Sequence, residues 1–559
     1  MGYKKRANSN FLVQGSILAI ASVISRIIGM IYRFPLTSII GDVGNDYLSA
    51  AMEVYSILLL ISSYSLPLAV SKLVSTRMAK GERKNAYRIF KGALVFAFLS
   101  GTLVALFLFF GAQWIASLLK TPLSIFALQV LSPTLLVVAV LGVFRGFFQG
   151  MGTMMPSAVS QLLEQVVNAI VSLWVAYMLY QYGARIGRVL GNSEHYGSAY
   201  GAAGSTAGTG AGAVFALLFV LMVFAAFLPV YKKQMQRDVR SRKEGYGTVF
   251  GVLILTIIPV LLSTTIYNVT SILDMGVFKY LAAYQGYEEL SYSTMWGVFA
   301  GKYKTLVNVP ISLASALAAS SVPSVATAFA SDNMRLVKSR VHTVFHFIMV
   351  IAFPCAVGMG VLALPLMNLM YPPRTELIQS SNEMAANLMR AGALSIICYS
   401  LSTVSNAILQ GINRMRMPVL NALAALGLHL VLLAGLMLGP DLNIYAVVIA
   451  NVCFSLLMCL LNGWSIHKAL HYKQEIRKTF LIPGIASVLM GAAVYGCYKG
   501  IMSLLKSNLI ATVAAVAVGV VVYFVLLFLM RGMESADLKE FPGGRFLRKI
   551  MTRLHLLRG

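Results

Sequence analysis

"ASVISRIIGMIYRFP", residues 21–35, reads as an apolar helix into which two arginines, Arg26 and Arg33, have been set. An amphipathic helix on a soluble protein would carry a broad polar face, whereas here the polar positions form one narrow stripe. Whether the arginines lie inside a membrane depends on the rest of the chain. Of its 559 residues 58% are hydrophobic and only 11% charged, and the mean hydropathy is +0.77, far from the balance of soluble domains. Apolar runs of about 20 residues, each long enough to cross a ~30 Å hydrocarbon core as a helix, recur from end to end. No stretch is left over for a sizeable soluble domain.

The expected fold is therefore an all-α integral membrane protein with about 14 transmembrane helices. The distribution of basic residues tests that number, because one missed or invented span would invert every later loop. With the N-terminus inside, 32 of the 45 Lys and Arg fall on the inner side, Arg145 in the loop after the fourth span (122–144) among them, 6 on the outer side and 7 within spans. Both termini are thus expected to be cytoplasmic. The net charge of +26 is spread over these inner loops, so anionic lipid headgroups suit it and nucleic acid is not expected as a partner. The tail "GGRFLRKIMTRLHLLRG", with Phe546, Ile550 and Leu554 spaced among arginines, suits an interfacial amphipathic helix and equally a plain orienting charge cluster. "MGYKKR" at the start precedes a long stretch that contains Arg26 and lacks a small-residue cleavage site, so it reads as leading a retained first span. The five cysteines fall in apolar runs without a C-x-x-C pair, which suggests neither a disulfide framework nor a zinc site.

An internal repeat organises the spans. "FFQGMGTMMPSAVSQLLEQ" near 149 is echoed by "ILQGINRMRMPVLNALAAL" near 410. Each has Gln-Gly, a short loop, and a proline opening the next helix. A weaker echo pairs "AKGERKNAYRIFKGALVFAF" near 80 with "ASDNMRLVKSRVHTVFHFIM" near 330. Both offsets equal six helices, which implies two pseudo-repeated six-helix lobes in parallel orientation, the arrangement that puts a substrate path between halves. The expected organisation is an N-terminal lobe over 1–240, a C-terminal lobe over 241–471, two extra helices over 472–531 and a basic amphipathic tail over 532–559, with the basic loop 232–245 as the hinge.

Seven cations fall within spans: Arg26, Arg33, Lys72, Lys279, Lys302, Lys304 and Arg390. The acids there are fewer, namely Asp46 at the outer edge, Glu53, Glu164 and Asp274. A charge at a helix centre costs roughly 2.5–3.5 kcal/mol on the insertion scale, so each needs a cavity or a partner. Arg26 and Arg33, seven residues apart, share a helix face with Ser22 and Gly29 and lie ~10 Å apart along it. A second stripe, Lys304, Asn308, Ser312 and Ser315, runs along the eighth span (292–330), with Lys302 pointing elsewhere. A third, Ser157, Gln161, Glu164, Asn168 and Ser172, runs along the fifth (154–183). Arg33 also lies within snorkelling reach of headgroups, and Glu164 would suit pairing with a neighbouring cation. Lys72 and Lys279 read as interfacial or ion-paired. His342 and His346 have i, i+4 spacing but no third ligand nearby, so no metal site is expected. Gly204, Gly208 and Gly212, like Gly142, Gly146 and Gly150, repeat every four residues and predict close-packed helix faces.

"SRIIGMIYR", "RGFFQGMGTMMPSAVSQLLEQ", "GAAGSTAGTGAG" and "LVNVPISLASALAASSVPSVA", in that order along fourteen spans, together resemble the polysaccharide-transporter branch of the multidrug/oligosaccharidyl-lipid/polysaccharide (MOP) exporter superfamily. Within it the likeness is to the stage V sporulation protein B and lipid II flippase group, over essentially the full chain. The resemblance implies alternating access that moves a polyprenyl-pyrophosphate-linked saccharide from the inner to the outer leaflet, with no enzymatic step, no cofactor, a monomeric state and an unidentified coupling ion if any. It further implies that Arg26 and Arg33 match cavity arginines of related flippases, that Lys304 approximates a basic residue of the eighth span, and that Asp46 stands where relatives carry an acid. No residue of the second span matches a further cavity arginine of that group. The expected substrate-binding set is Arg26, Arg33, Lys304, Asp46, Glu164 and Asn308. Rival readings are a cation-coupled multidrug exporter of the same superfamily, which would need membrane carboxylates for its cations; a membrane glycosyltransferase, which would need a carboxylate pair or metal motif in a sizeable loop; and a non-transporting cell-wall assembly scaffold.

Overall fold

The computed structural model describes residues 17–533 apart from 19, 65, 237 and 239–244. The amphipathic tail beyond Met533 and half of the expected hinge loop lie outside the described residues. The chain is nearly all helical. It forms α1 (Ile20–Ile31), then α2 (Arg33–Leu59), α3 (Leu66–Ala79), α4 (Arg83–Leu118), α5 (Ile125–Gly150), α6 (Met155–Val189), α7 (Ser193–Gln236) and α8 (Tyr246–Tyr284). After these come α9 (Glu289–Gly297), α10 (Lys304–Ala330), α11 (Met334–Val361), α12 (Ala363–Met370), α13 (Glu376–Gly411), α14 (Arg416–Leu438), α15 (Ile444–Leu470), α16 (Ile482–Leu505) and α17 (Asn508–Leu529). Among the described residues 11 helical segments are long and apolar enough to cross a membrane. One of them, Arg33–Ala79, holds the end of the first expected span and all of the second, and the expected spans beginning at 246 and 292 correspond to α8 and to α9 with α10. The protein is a multi-pass membrane protein of about 14 transmembrane helices. Its outward faces are apolar, with Leu103 69%, Phe110 78% and Val431 72% exposed, as lipid-facing positions require.

Helices up to Gly301 form one compact unit and those from Lys302 a second. The sequence repeat divides the chain at 240, whereas the packing gathers α8 and α9 with the first unit. In that unit an aromatic knot of Phe90, Phe144, Phe147 and Phe224 joins α4, α5 and α7. In the second, α10, α11, α13 and α15 share a core around Val341, Phe345, Val404 and Ile408, and α16 and α17 lean on α11, where the Tyr523 hydroxyl donates to the Val350 carbonyl at 2.8 Å.

The repeated motifs fold into repeated turns. After α5 the N–H of Gly152 returns to Gln149 and that of Thr153 to Phe148; after α13 those of Asn413 and Arg414 return to Gln410 and Leu409. Gly152 (φ 83°) and Asn413 (φ 60°) both take the left-handed conformation that closes a helix C-terminus. The weaker echo behaves alike, with Gly81 (φ 78°) and Asp332 (φ 54°) at equivalent positions.

The glycine ladders are close-packed, as their spacing predicts. A Cβ on Gly204 would stand 2.7 Å from the Val175 carbonyl oxygen and one on Gly212 2.5 Å from that of Glu164, while one on Gly208 would collide with Ser172. Helix α7 thus rests directly on the α6 backbone, and Gly146 and Gly150 do the same for α5 on α3. Gly208→Ala should therefore cost about 1–3 kcal/mol through overpacking. Gly427→Ala, where a Cβ meets nothing within 4 Å, should leave the thermal midpoint of the detergent-solubilised protein unchanged; equal midpoints for the two variants would refute the close approach.

Candidate functional site

The first arginine stripe flanks a polar seam between α1 and α6. Ser22 Oγ donates to Gln161 Oε1 at 3.1 Å, Gly29 leaves only enough room for the Gln165 amide oxygen, and Asn168 Nδ2 donates to the Tyr32 hydroxyl at 3.4 Å. Helical rotation of about 100° per residue puts Arg26 and Arg33 roughly 50–70° round from the centre of that seam. The opposite face of α1 carries exposed Ile20, Ile24, Ile27 and Ile31. Arg26 is exposed and Arg33 half-buried, and among the described residues neither is tied to a side chain of the protein. The stripe expected on the fifth span is largely consumed by packing: Ser157, Asn168 and Ser172 are buried, and Ser172 Oγ bonds to Asn168 Oδ1 and to the Ser205 carbonyl, each at 2.8 Å.

Glu164 is held by Arg145, whose Nη2 lies 2.7 Å from its carboxylate and whose Nε donates to Ser160 Oγ at 2.8 Å. Sequence reading assigned Arg145 to a loop. It lies instead in the penultimate turn of α5 with its side chain 13% exposed. The Gly142, Gly146 and Gly150 ladder was the signal that the helix continues past it.

Asp46 occupies a different setting from the one expected of a substrate contact. Helix α2 breaks at Gly41 (φ 72°, ψ −177°), a conformation that favours glycine. The break frees carbonyls that cannot be left bare in a membrane, and side chains take them: Ser198 Oγ donates to the Ile40 carbonyl at 3.0 Å and Asn45 Nδ2 to that of Gly41 at 2.9 Å. One turn on, Asp46 accepts from Lys279 Nζ at 2.5 Å, with both side chains fully buried. Trp296 Nε1 donates to Ser49 Oγ at 3.1 Å, and Gly297 and Gly301 admit the Asp42 carbonyl and the Asn45 side chain, respectively. Asp46 therefore ties α2 to α8 and has no surface to offer a ligand in this state. Outside the spanning segments, burial pushes the neighbouring Glu289 carboxyl up, against the lowering influence of His195 and Lys279.

A π-helical turn, Val298–Tyr303, leads into α10 and carries Lys302, while Lys304 opens the α-helix itself. Lys302 turns inward to Ser381 Oγ at 2.5 Å and Asn382 Oδ1 at 3.1 Å, as its spacing from Lys304 predicts. Lys304 is half-buried and Asn308 exposed. Arg390 is exposed and bonds to Asn387 within its own helix at 2.7 Å, and Lys72 is exposed. Arg26 and Arg33 belong to the first unit, Lys304 and Asn308 to the second.

These features define a multi-pass helical membrane protein with an excess of positive charge in its spans. Solved structures show the same fold: a lipid II flippase MurJ in an inward closed conformation aligns with a TM-score of 0.66 at 14% identity, covering 92% of this chain and 98% of that one. An inward-facing multidrug resistance MATE family transporter of the MOP superfamily aligns at 0.60, with 14% identity, 81% of this chain and 98% of that one. The chain belongs to the polysaccharide biosynthesis protein family, whose model matches residues 12–329, and the MatE model matches 303–434. Among curated relatives from Bacillus subtilis (strain 168), lipid II flippase MurJ is 25% identical over 97% of this chain and 99% of its own length. Stage V sporulation protein B is 24% identical over 96% and 98%.

Asp46→Leu leaves Lys279 buried without its carboxylate and should cost about 3–5 kcal/mol, whereas Asp46→Leu/Lys279→Met removes both charges and should recover most of it. Thermal unfolding followed by size-exclusion chromatography reads the difference; a single variant as stable as the parent would contradict the pairing.

Proposed function

We propose that this chain is a flippase that carries a polyprenyl-pyrophosphate-linked saccharide, lipid II or a related cell-wall precursor, from the inner to the outer leaflet of the bacterial cell membrane by alternating access. The observation that carries the reading is the disposition of intramembrane charge. Asp46 is neutralised by Lys279 and Glu164 by Arg145, while Arg26 stands exposed beside the polar α1–α6 seam with Arg33 on the same stripe. A pyrophosphate entering a low-dielectric region loses solvation that preplaced guanidinium groups replace by charge-assisted, bidentate hydrogen bonds. Arg26, Arg33 and Lys304 hold the headgroup in this reading, with Asn308 on the Lys304 face; lysine keeps the charge but not the bidentate geometry. The prenyl tail stays in lipid. Asp46 and Glu164 act as positioning residues that fix helices around the stripe.

Names of the relatives support the substrate class, the parallel turns at Gly152 and Asn413 support two lobes, 1–240 and 241–471, with 472–531 added, and the bias of Lys and Arg to one set of loops supports both termini being cytoplasmic. A cation-coupled multidrug exporter is the second reading, favoured only by the MATE-like fold; its carboxylates would have to bind cations, and two of them are already occupied by basic side chains.

The test is leaflet exposure of lipid II in cells depleted of their own flippase and supplied with this chain or its Arg26→Ala form at matched membrane abundance. The intact chain should restore exposure and Arg26→Ala should reduce it about tenfold, the value of one lost charged hydrogen bond. Equal restoration by both would make Arg26 structural, and restoration by neither would exclude lipid II as the substrate.

A further inference from the structure

At the basic end of α4 a groove of about 440 Å³ opens between α4 and α8, lined by Lys91, Gly92, Leu94, Val95, Tyr246 and Phe250. Its wall is apolar but its mouth is cationic. The Arg88 guanidinium lies 4.8 Å from the Tyr246 ring centroid and the Lys91 ammonium 5.0 Å from that of Tyr87. No lining residue is acidic. Lys91 and Val95 are exposed, and from Val95 the apolar surface continues through Phe98, Leu99, Leu103 and Phe110 along the lipid-facing side of α4. The groove is thus a cleft in the lateral face of the protein, continuous with hydrocarbon at one end and basic at the other.

That polarity specifies one occupant. A cleft with only apolar walls would be filled by any lipid tail, and a basic surface alone would attract any anion. The two together, within two turns of α4, match a molecule whose negative charge is joined directly to an acyl chain. We infer that this groove binds an anionic glycerophospholipid, with its phosphate between Arg88 and Lys91 and one acyl chain along Leu94, Val95 and Phe250. The stacking of Arg88 on Tyr246 pre-orients the guanidinium and lowers the ordering cost of phosphate binding. The site lies apart from the Arg26 stripe and does not depend on what the protein transports. A bound lipid there would bridge α4 to the start of α8.

Native mass spectrometry of the full chain released from nanodiscs of phosphatidylglycerol mixed with phosphatidylcholine tests this. The parent should retain phosphatidylglycerol preferentially. Arg88→Gln/Lys91→Gln should reduce that preference about tenfold or more, from the loss of two near-surface cations, whereas Lys80→Gln/Arg335→Gln, which removes equal charge from exposed positions elsewhere, should not. Val95→Trp, which fills the groove, should lower retention of both lipids. Undiminished preference in Arg88→Gln/Lys91→Gln, or equal losses in both double variants, would overturn the site. So would selective retention of a polyprenyl phosphate over phosphatidylglycerol when both are supplied.

Discussion

The buried contact between Lys279 and Asp46 is the constraint on which the first unit depends. A carboxylate and an ammonium removed from water persist only as a pair with further hydrogen-bonding support, and this pair fixes where α8 crosses α2. The break at Gly41 makes the contact available by redirecting α2. Ser198 and Asn45 then satisfy the carbonyls that the break exposes, and Gly297 and Gly301 let the α9 region close on the redirected segment. Each element answers a demand set by the lack of water: no bare carbonyl, no lone charge, no void.

The same rule sorts the remaining charges. Arg145 satisfies Glu164, and Lys302 is enclosed by Ser381 and Asn382. Arg26 lies beside a hydrogen-bonded seam on a helix whose other side is isoleucine. Positive charge is thereby concentrated on one face of α1, as the proposed binding of an anionic headgroup requires.

Much of this was legible in the sequence. Composition and run length gave the membrane-spanning helical class, and glycine spacing gave the α5 and α7 contact faces. The Gln-Gly-loop-Pro echo marked turns that share hydrogen bonds and left-handed residues at Gly152 and Asn413. Pairings remote in sequence were not legible. Asp46 and Lys279 are 233 positions apart, and periodicity says which face a residue occupies but not which helix meets it. Asp46 accordingly read as a ligand contact, and its buried pairing with Lys279 was not visible. Arg145 looked like a loop cation because helix ends near a Gly-Met-Gly turn are poorly marked. The fifth-span stripe was legible as one polar face, but not that its short residues serve packing, as Ser172 does against α7.

Recognition of a pyrophosphate by the α1 cations is the central claim, and binding to purified protein in nanodiscs measures it directly. Polyprenyl pyrophosphate and polyprenyl monophosphate forms bearing one saccharide would be titrated against the parent and Arg26→Gln. The account predicts that the parent favours the pyrophosphate by about tenfold, the equivalent of an additional charge-assisted contact, and that Arg26→Gln erases most of that margin. Equal affinity for the two forms, or a margin unchanged in Arg26→Gln, would contradict it.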